Sequence, residues 1–150
     1  YLRLACIFFL LGFGMGLTMA PSTTIVMDSI PKDKAGVGSA TNDASREIGG
    51  AMGIAIGGSV LNEVYQRNMI IPTELVESLG TVPLESFPAA IEIGAELFNN
   101  GDLIGLELIE NAKFAFMEGM LATASVMAII ALINAILVKL YMPSRIINEK

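Results

Sequence analysis

Two long stretches of this chain carry no charge, and they lie far apart: residues 4–27 and residues 119–138. A helix needs about 20 consecutive apolar residues to cross the hydrocarbon core of a bilayer, which is about 30 Å thick. At 1.5 Å per residue, the first run reaches roughly 36 Å, enough to cross with some tilt. A soluble core can absorb an apolar excess, but not its clustering into long, separate runs. Composition points the same way: 53% of the 150 residues are hydrophobic, only 16% are charged, and mean hydropathy is +0.64. Soluble domains carry about 25% charged residues. The pattern predicts an all-α membrane protein.

Three transmembrane helices are expected, at about 4–28, 36–64 and 116–141. The first holds Pro21. A proline is tolerated inside a span where neighbouring helices, or hydroxyls such as those of Ser22, Thr23 and Thr24, re-satisfy the freed backbone group. The third has Asn134 as its one strongly polar member, a residue type that bonds between helices in lipid. The second differs. Its uncharged part, 48–61, is too short to cross alone, so a full crossing must take in Asp43, Arg46 and Glu47. A short re-entrant or interfacial helix is the rival reading. A crossing is favoured because it joins the other two spans with consistent orientation.

Basic residues set that orientation. Lys32 and Lys34 flank Asp33 in the short turn before the second span, and Lys139, Arg145 and Lys150 follow the third. The stretch 66–113 holds only Arg67 and Lys113. The turn and the tail 142–150 are therefore expected in the cytoplasm, and the external loop is 66–113. The location is the cell membrane, multi-pass, with a cytoplasmic C-terminus. The chain begins at Tyr1, not Met, and reads as part of a longer protein; no signal peptide is legible at its start.

Within the external loop, 72–79 reads as one or two helical turns stopped by Gly80. Residues 87–98 and 103–114 read as two short amphipathic helices lying near the outer surface. Between them, Asn100-Gly101 fits a hairpin turn or a helix C-terminus with Gly101 left-handed. The loop's eight acids, Glu74 to Glu110, read as a solvated face, with a cation-attracting vestibule as the alternative.

Several chemistries are excluded or disfavoured. There is no His and one Cys, so no zinc site, His-based triad or disulfide framework can be assembled here. Cys6 reads as a small buried or lipid-facing residue. No enzyme activity, metal or cofactor is expected. Net charge is −6, which gives no reason to expect nucleic acid as a partner.

The chemistry concentrates in the second span. On a helical wheel turning about 100° per residue, Arg46, Glu47, Gly50, Ile54 and Gly57 fall within roughly 60° of Asp43. Ionisable groups at membrane depth face a bundle interior or a wet cavity. The bland reading is internal neutralisation, with Arg46 pairing Asp43 three residues before it. One guanidinium cannot fully neutralise two carboxylates, so the surplus acid is either protonated or paired elsewhere. A carboxyl poised between those states suits a proton relay. Small residues form a second pattern: Gly12 and Gly16 in the first span, and Gly49, Gly53 and Gly57 in the second, spaced for close helix packing.

Gly12-Phe13-Gly14-Met15-Gly16-Leu17 followed by Ala20-Pro21 resembles the antepenultimate span of major facilitator superfamily transporters. Ile30-Pro31, Ala35-Gly36-Val37-Gly38-Ser39-Ala40 and the run from Arg46 to Val60 resemble the fourteen-span drug:proton antiporters of the EmrB/QacA type. The resemblance is strong over 10–65 and weaker over 112–143; 66–111 matches only as a long external loop. It implies the last three helices, at the C-terminal end of a major facilitator bundle, with Asp43 and Glu47 at places tied to proton coupling or cationic-substrate recognition. Relatives often carry an acid at the position of Thr24; here the acid is Asp28, one turn later. The implied function is secondary active transport: export of small, lipophilic compounds in exchange for protons, by alternating access. Expected partners are the small-molecule substrate, protons, membrane lipid and the remaining spans of the same transporter. The competing reading is a non-transport membrane anchor or assembly subunit, in which Asp43 and Glu47 are dispensable.

Overall fold

A computed structural model describes residues 1–141; the tail 142–150, with Arg145 and Lys150, lies outside the described residues. The described residues are helical throughout their ordered elements. These are α1 (Leu2–Asp28), a 3₁₀ turn (Lys32–Lys34), α2 (Ala35–Asn68), α3 (Thr73–Leu79), α4 (Val82–Glu85), α5 (Phe87–Asn99) and α6 (Ile104–Tyr141). The chain divides into two compact units, Tyr1–Met52 and Gly53 onward, so that α2 contributes its first half to one and its second half to the other.

The first unit contains α1, the 3₁₀ turn and the start of α2. α1 runs unbroken through Pro21, although proline supplies no N–H to the Leu17 carbonyl. The expected hydroxyl repair is not seen at that carbonyl: Thr24 Oγ1 donates to Ala20 O at 3.0 Å, three residues beyond the freed one. After Asp28 the chain turns at Ile30-Pro31. The Ile30 side chain then lies where a Cβ on Gly38 would be, so Gly38 lets α2 start close against the turn. Gly38 and Asn42, one helical turn apart, are the buried positions of this stretch.

The second unit holds a small core, made largely by residues of the expected external loop 66–113. Tyr65, near the end of α2, and Met69, just past it, pack with Leu75 of α3, Ala90 of α5, and Leu108, Ala112 and Ala115 of α6; all are at most 6% exposed. The segment 66–113 is thus three short helices plus the start of α6, folded over a core, and not two amphipathic helices spread on a surface. Its second expected helix, 103–114, is the first part of α6. Along α6, Gly105, Leu108, Ala112, Ala115 and Gly119 are buried at three- and four-residue spacing, one stripe of a helix.

Local chemistry explains the boundaries. Ser86 Oγ accepts from Ala89 N at 3.3 Å and caps α5, with Pro88 in its first turn. α5 ends in a Schellman closure: Gly101, at φ 89°, donates to Phe98 O at 3.0 Å, and Asp102 N donates to Leu97 O at 3.0 Å. Asp102 Oδ1 then accepts from Ile104 N at 3.0 Å and opens α6. Of the two sequence readings for Asn100-Gly101, the helix C-terminus is the one adopted. Gly80, at φ 54°, ends α3 as expected.

Two helices among the described residues, α1 and α6, are long and apolar enough to cross a bilayer. Of the three expected spans these are two; a third is not shown. α2 has 34 residues, but its first half carries Ser39, Thr41, Asn42, Asp43, Ser45, Arg46 and Glu47, and that polar run holds its hydropathy below that of the other two. α6 has 38 residues, or about 57 Å, longer than a bilayer core requires. Its early turns belong to the small core, and its charge-free part, 119–138, follows.

Candidate functional site

Asp43, Arg46 and Glu47 lie within α2, so the uninterrupted helix puts them on one face, as the wheel predicts. All three are exposed, and they share the first unit with α1. The expected Arg46–Asp43 ion pair is not formed. The guanidinium instead reaches across to α1, with Arg46 Nη2 at 3.5 Å from Met19 Sδ. Among the described residues, the one ion pair is Arg67 Nη2 with Glu63 Oε1 at 2.7 Å, an exposed pair one turn apart on the far part of α2. Two carboxylates therefore stand on the α2 face without a cation bonded to either. Neighbouring hydroxyls turn inward on their own helix: Thr41 Oγ1 donates to Val37 O at 2.9 Å, and Ser45 Oγ to Thr41 O at 2.8 Å. They leave Asp43 and Glu47 unsolvated by side chains of their own helix.

Sequence reasoning passed over one member of this neighbourhood, Met19. Its thioether is a soft, polarisable contact for the guanidinium. Asn42, at 8% exposure, is a buried polar residue on the side of α2 next to the charged face.

The glycines divide. Gly12, Gly16, Gly49 and Gly53 face open space in this chain. Gly57 does not: a Cβ there would sit 3.0 Å from Met127 Cε and 3.4 Å from Thr123 Cγ2 of α6. Thr123 Oγ1 also donates to Gly57 O at 3.4 Å, while bonded to Gly119 O at 2.8 Å. One turn further, Gly119 lies against α2, with the place of its missing Cβ 2.9 Å from Leu61 O. The α2–α6 contact within the second unit is therefore backbone-close, and Gly119 is a part of it that the glycine spacing did not single out.

Known proteins give the wider context. Over 131 residues, 87% of its length, the chain is 28% identical to the multidrug efflux pump LfrA of Mycolicibacterium smegmatis, of which it covers 25%. It is 42% identical over 52 residues to the multidrug resistance protein Stp of Mycobacterium tuberculosis, and 29% identical over 91 residues to the multidrug transporter protein MdtP of Bacillus subtilis. The chain is distantly similar to multidrug efflux transporters. It spans a quarter or less of the length of these relatives: 25%, 10% and 16%. No protein-family model matches it, and no solved structure does. LfrA and MdtP are an efflux pump and a transporter by name, and together with the apolar α1 and α6 they point to a membrane location.

Proposed function

We propose that the chain is the C-terminal part of a secondary active transporter, which exports small, lipophilic compounds in exchange for protons by alternating access. The observation that carries this reading is the similarity to LfrA along 87% of the chain. In this reading α2 is the third crossing. Its charged face is then accommodated by a wet cavity shared with spans outside this chain, as ionisable groups in membranes require. Transport sites of such proteins lie near the bilayer midplane between two moving halves. Asp43 and Glu47 are the proton-coupling or cation-recognising groups, and Arg46 tunes the field around them from its seat on Met19. The turn 32–34 faces the cytoplasm and the folded segment 66–113 lies outside.

The test uses the full-length protein in vesicles with an imposed pH gradient and a fluorescent lipophilic cation as probe. Joint replacement by Asp43→Asn and Glu47→Gln is expected to abolish gradient-driven movement of the probe while expression persists. Unchanged transport by the double variant favours the anchor or assembly-subunit reading for this part of the protein.

A further inference from the structure

We infer that Asn100 is a latent site of spontaneous deamidation, held in check by the turn that joins α5 to α6. Asn100 is exposed, and the residue after it is Gly101, which has no Cβ to obstruct approach to its nitrogen. In the reaction, the Gly101 backbone nitrogen loses its proton and attacks Asn100 Cγ. The N–Cγ bond forms, the Cγ–Nδ2 bond breaks, and the amide nitrogen leaves as ammonia. The resulting five-membered succinimide is opened by water at one of its two carbonyl carbons, giving aspartate or isoaspartate. Water is the only co-reactant, and nothing is oxidised or reduced.

The folded turn opposes this step in two ways. The Gly101 N–H is engaged with Phe98 O at 3.0 Å, so the nucleophile is occupied. Asn100 is held at φ −81°, ψ 2°, which turns the Gly101 nitrogen away from its own side chain; ring closure needs that nitrogen swung round the Cα–C bond to the Cβ side. Modification therefore waits on local opening of the turn, and its rate is the rate of the open chain multiplied by the open fraction. Once made, the change reinforces itself. A new carboxylate stands at the C-terminal end of α5, where the helix dipole already disfavours negative charge. Isoaspartate also routes the backbone through one extra carbon, which is incompatible with the Schellman closure from Asp102 to Leu97.

The experiment ages the full-length protein in detergent at mildly alkaline pH and quantifies aspartate and isoaspartate at position 100 by peptide mapping. The same protein in denaturant supplies the open-chain rate. Native protein is expected to react about tenfold or more slowly than the denatured chain, as protection by a closed turn requires. Asp102→Ala, which removes only the bond to Ile104 N, is expected to accelerate the native reaction about fivefold. Gly105→Ala, which crowds α5 against α6, is expected to accelerate it about tenfold or more. A native rate equal to the denatured rate overturns the inference, as does a native rate that neither substitution changes. Absence of product in the denatured chain overturns it as well.

Discussion

Gly94 of α5 and Gly105 of α6 meet backbone to backbone: a Cβ built on Gly94 would lie 2.8 Å from the Gly105 carbonyl oxygen and 2.6 Å from Ile109 Cγ1. A Cβ on Gly105 would in turn sit 2.7 Å from Phe98 N. Neither obstacle at these carbonyl and amide positions can rotate away, because both are backbone. Gly105→Ala is therefore expected to destabilise the segment between α2 and α6 by about 1–3 kcal/mol, the range for overpacking a close-packed contact. Thermal unfolding of the detergent-solubilised protein measures it.

Tyr65 anchors the same segment from the α2 side. Its hydroxyl donates to Pro83 O at 2.8 Å from a fully buried site just past the apolar part of α2. Tyr65→Phe keeps the ring but leaves that carbonyl unpartnered, at a cost of about 1–2 kcal/mol. Burial also raises the phenol above its ordinary value of 10.0. A raised acid of this kind contributes stability that is full below the ordinary value and is lost as pH climbs through the folded-state value. Alkaline unfolding curves should thus be steeper for the native protein than for Tyr65→Phe, with the two converging at high pH. Parallel curves would show that the phenol titrates alike in both states.

This segment also shows where sequence reading reached its limit. The charge-free runs of α1 and α6, the stop at Gly80 and the left-handed Gly101 were legible, because each rests on a local rule of length or backbone geometry. The core was not. Tyr65 shares a core with Leu108 and Ala112 across more than forty positions, and no local pattern announces which partners a lone tyrosine will find. The Gly105, Leu108, Ala112, Ala115, Gly119 stripe did carry a helical period, but its acids, Glu107 and Glu110, drew attention to the solvated side. In the candidate site, the shared face of Asp43, Arg46 and Glu47 followed from spacing alone. The direction of the Arg46 side chain did not, since a long flexible cation chooses between partners that only the fold brings near.

The glycine stripe makes a prediction about what lies beyond this chain. Gly57 is already filled against Met127 and Thr123, so Gly57→Leu should reduce the yield of folded protein by itself. Gly53 faces open space here. If another span of the whole transporter packs on it, Gly53→Leu will depress expression or transport more than Ile54→Leu, because added volume separates two close backbones. Equal behaviour of the Gly53 and Ile54 variants would leave Gly53 facing lipid or water.

Orientation can be read with an impermeant thiol reagent on intact cells, in a background with Cys6→Ser. Single cysteines at Lys34 and Glu92 are expected to differ, with label only at position 92. A third cysteine at Lys150, in the tail outside the described residues, should stay unlabelled. Labelling at position 34 would invert the proposed topology.

The proposed transport reading assigns different roles to the two carboxylates of α2. Glu47 lies one turn further along the helix than Asp43, deeper in the proposed crossing, and neither is bonded to Arg46, which rests on Met19 Sδ. A carboxyl at membrane depth without a cation partner is the group that can take up a proton on one side and release it on the other. Glu47→Gln is accordingly expected to abolish transport driven by a pH gradient, while exchange of substrate across vesicles without a gradient survives. Asp43→Asn should leave the fold and expression intact, because no ion pair is lost, and should weaken binding of cationic substrates more than neutral ones. Met19→Leu tests the seat of Arg46: it keeps the volume but removes the sulfur contact, and should alter the pH dependence of transport without preventing it. Normal transport by Glu47→Gln, with an unchanged dependence on pH, would move the coupling carboxylate out of α2.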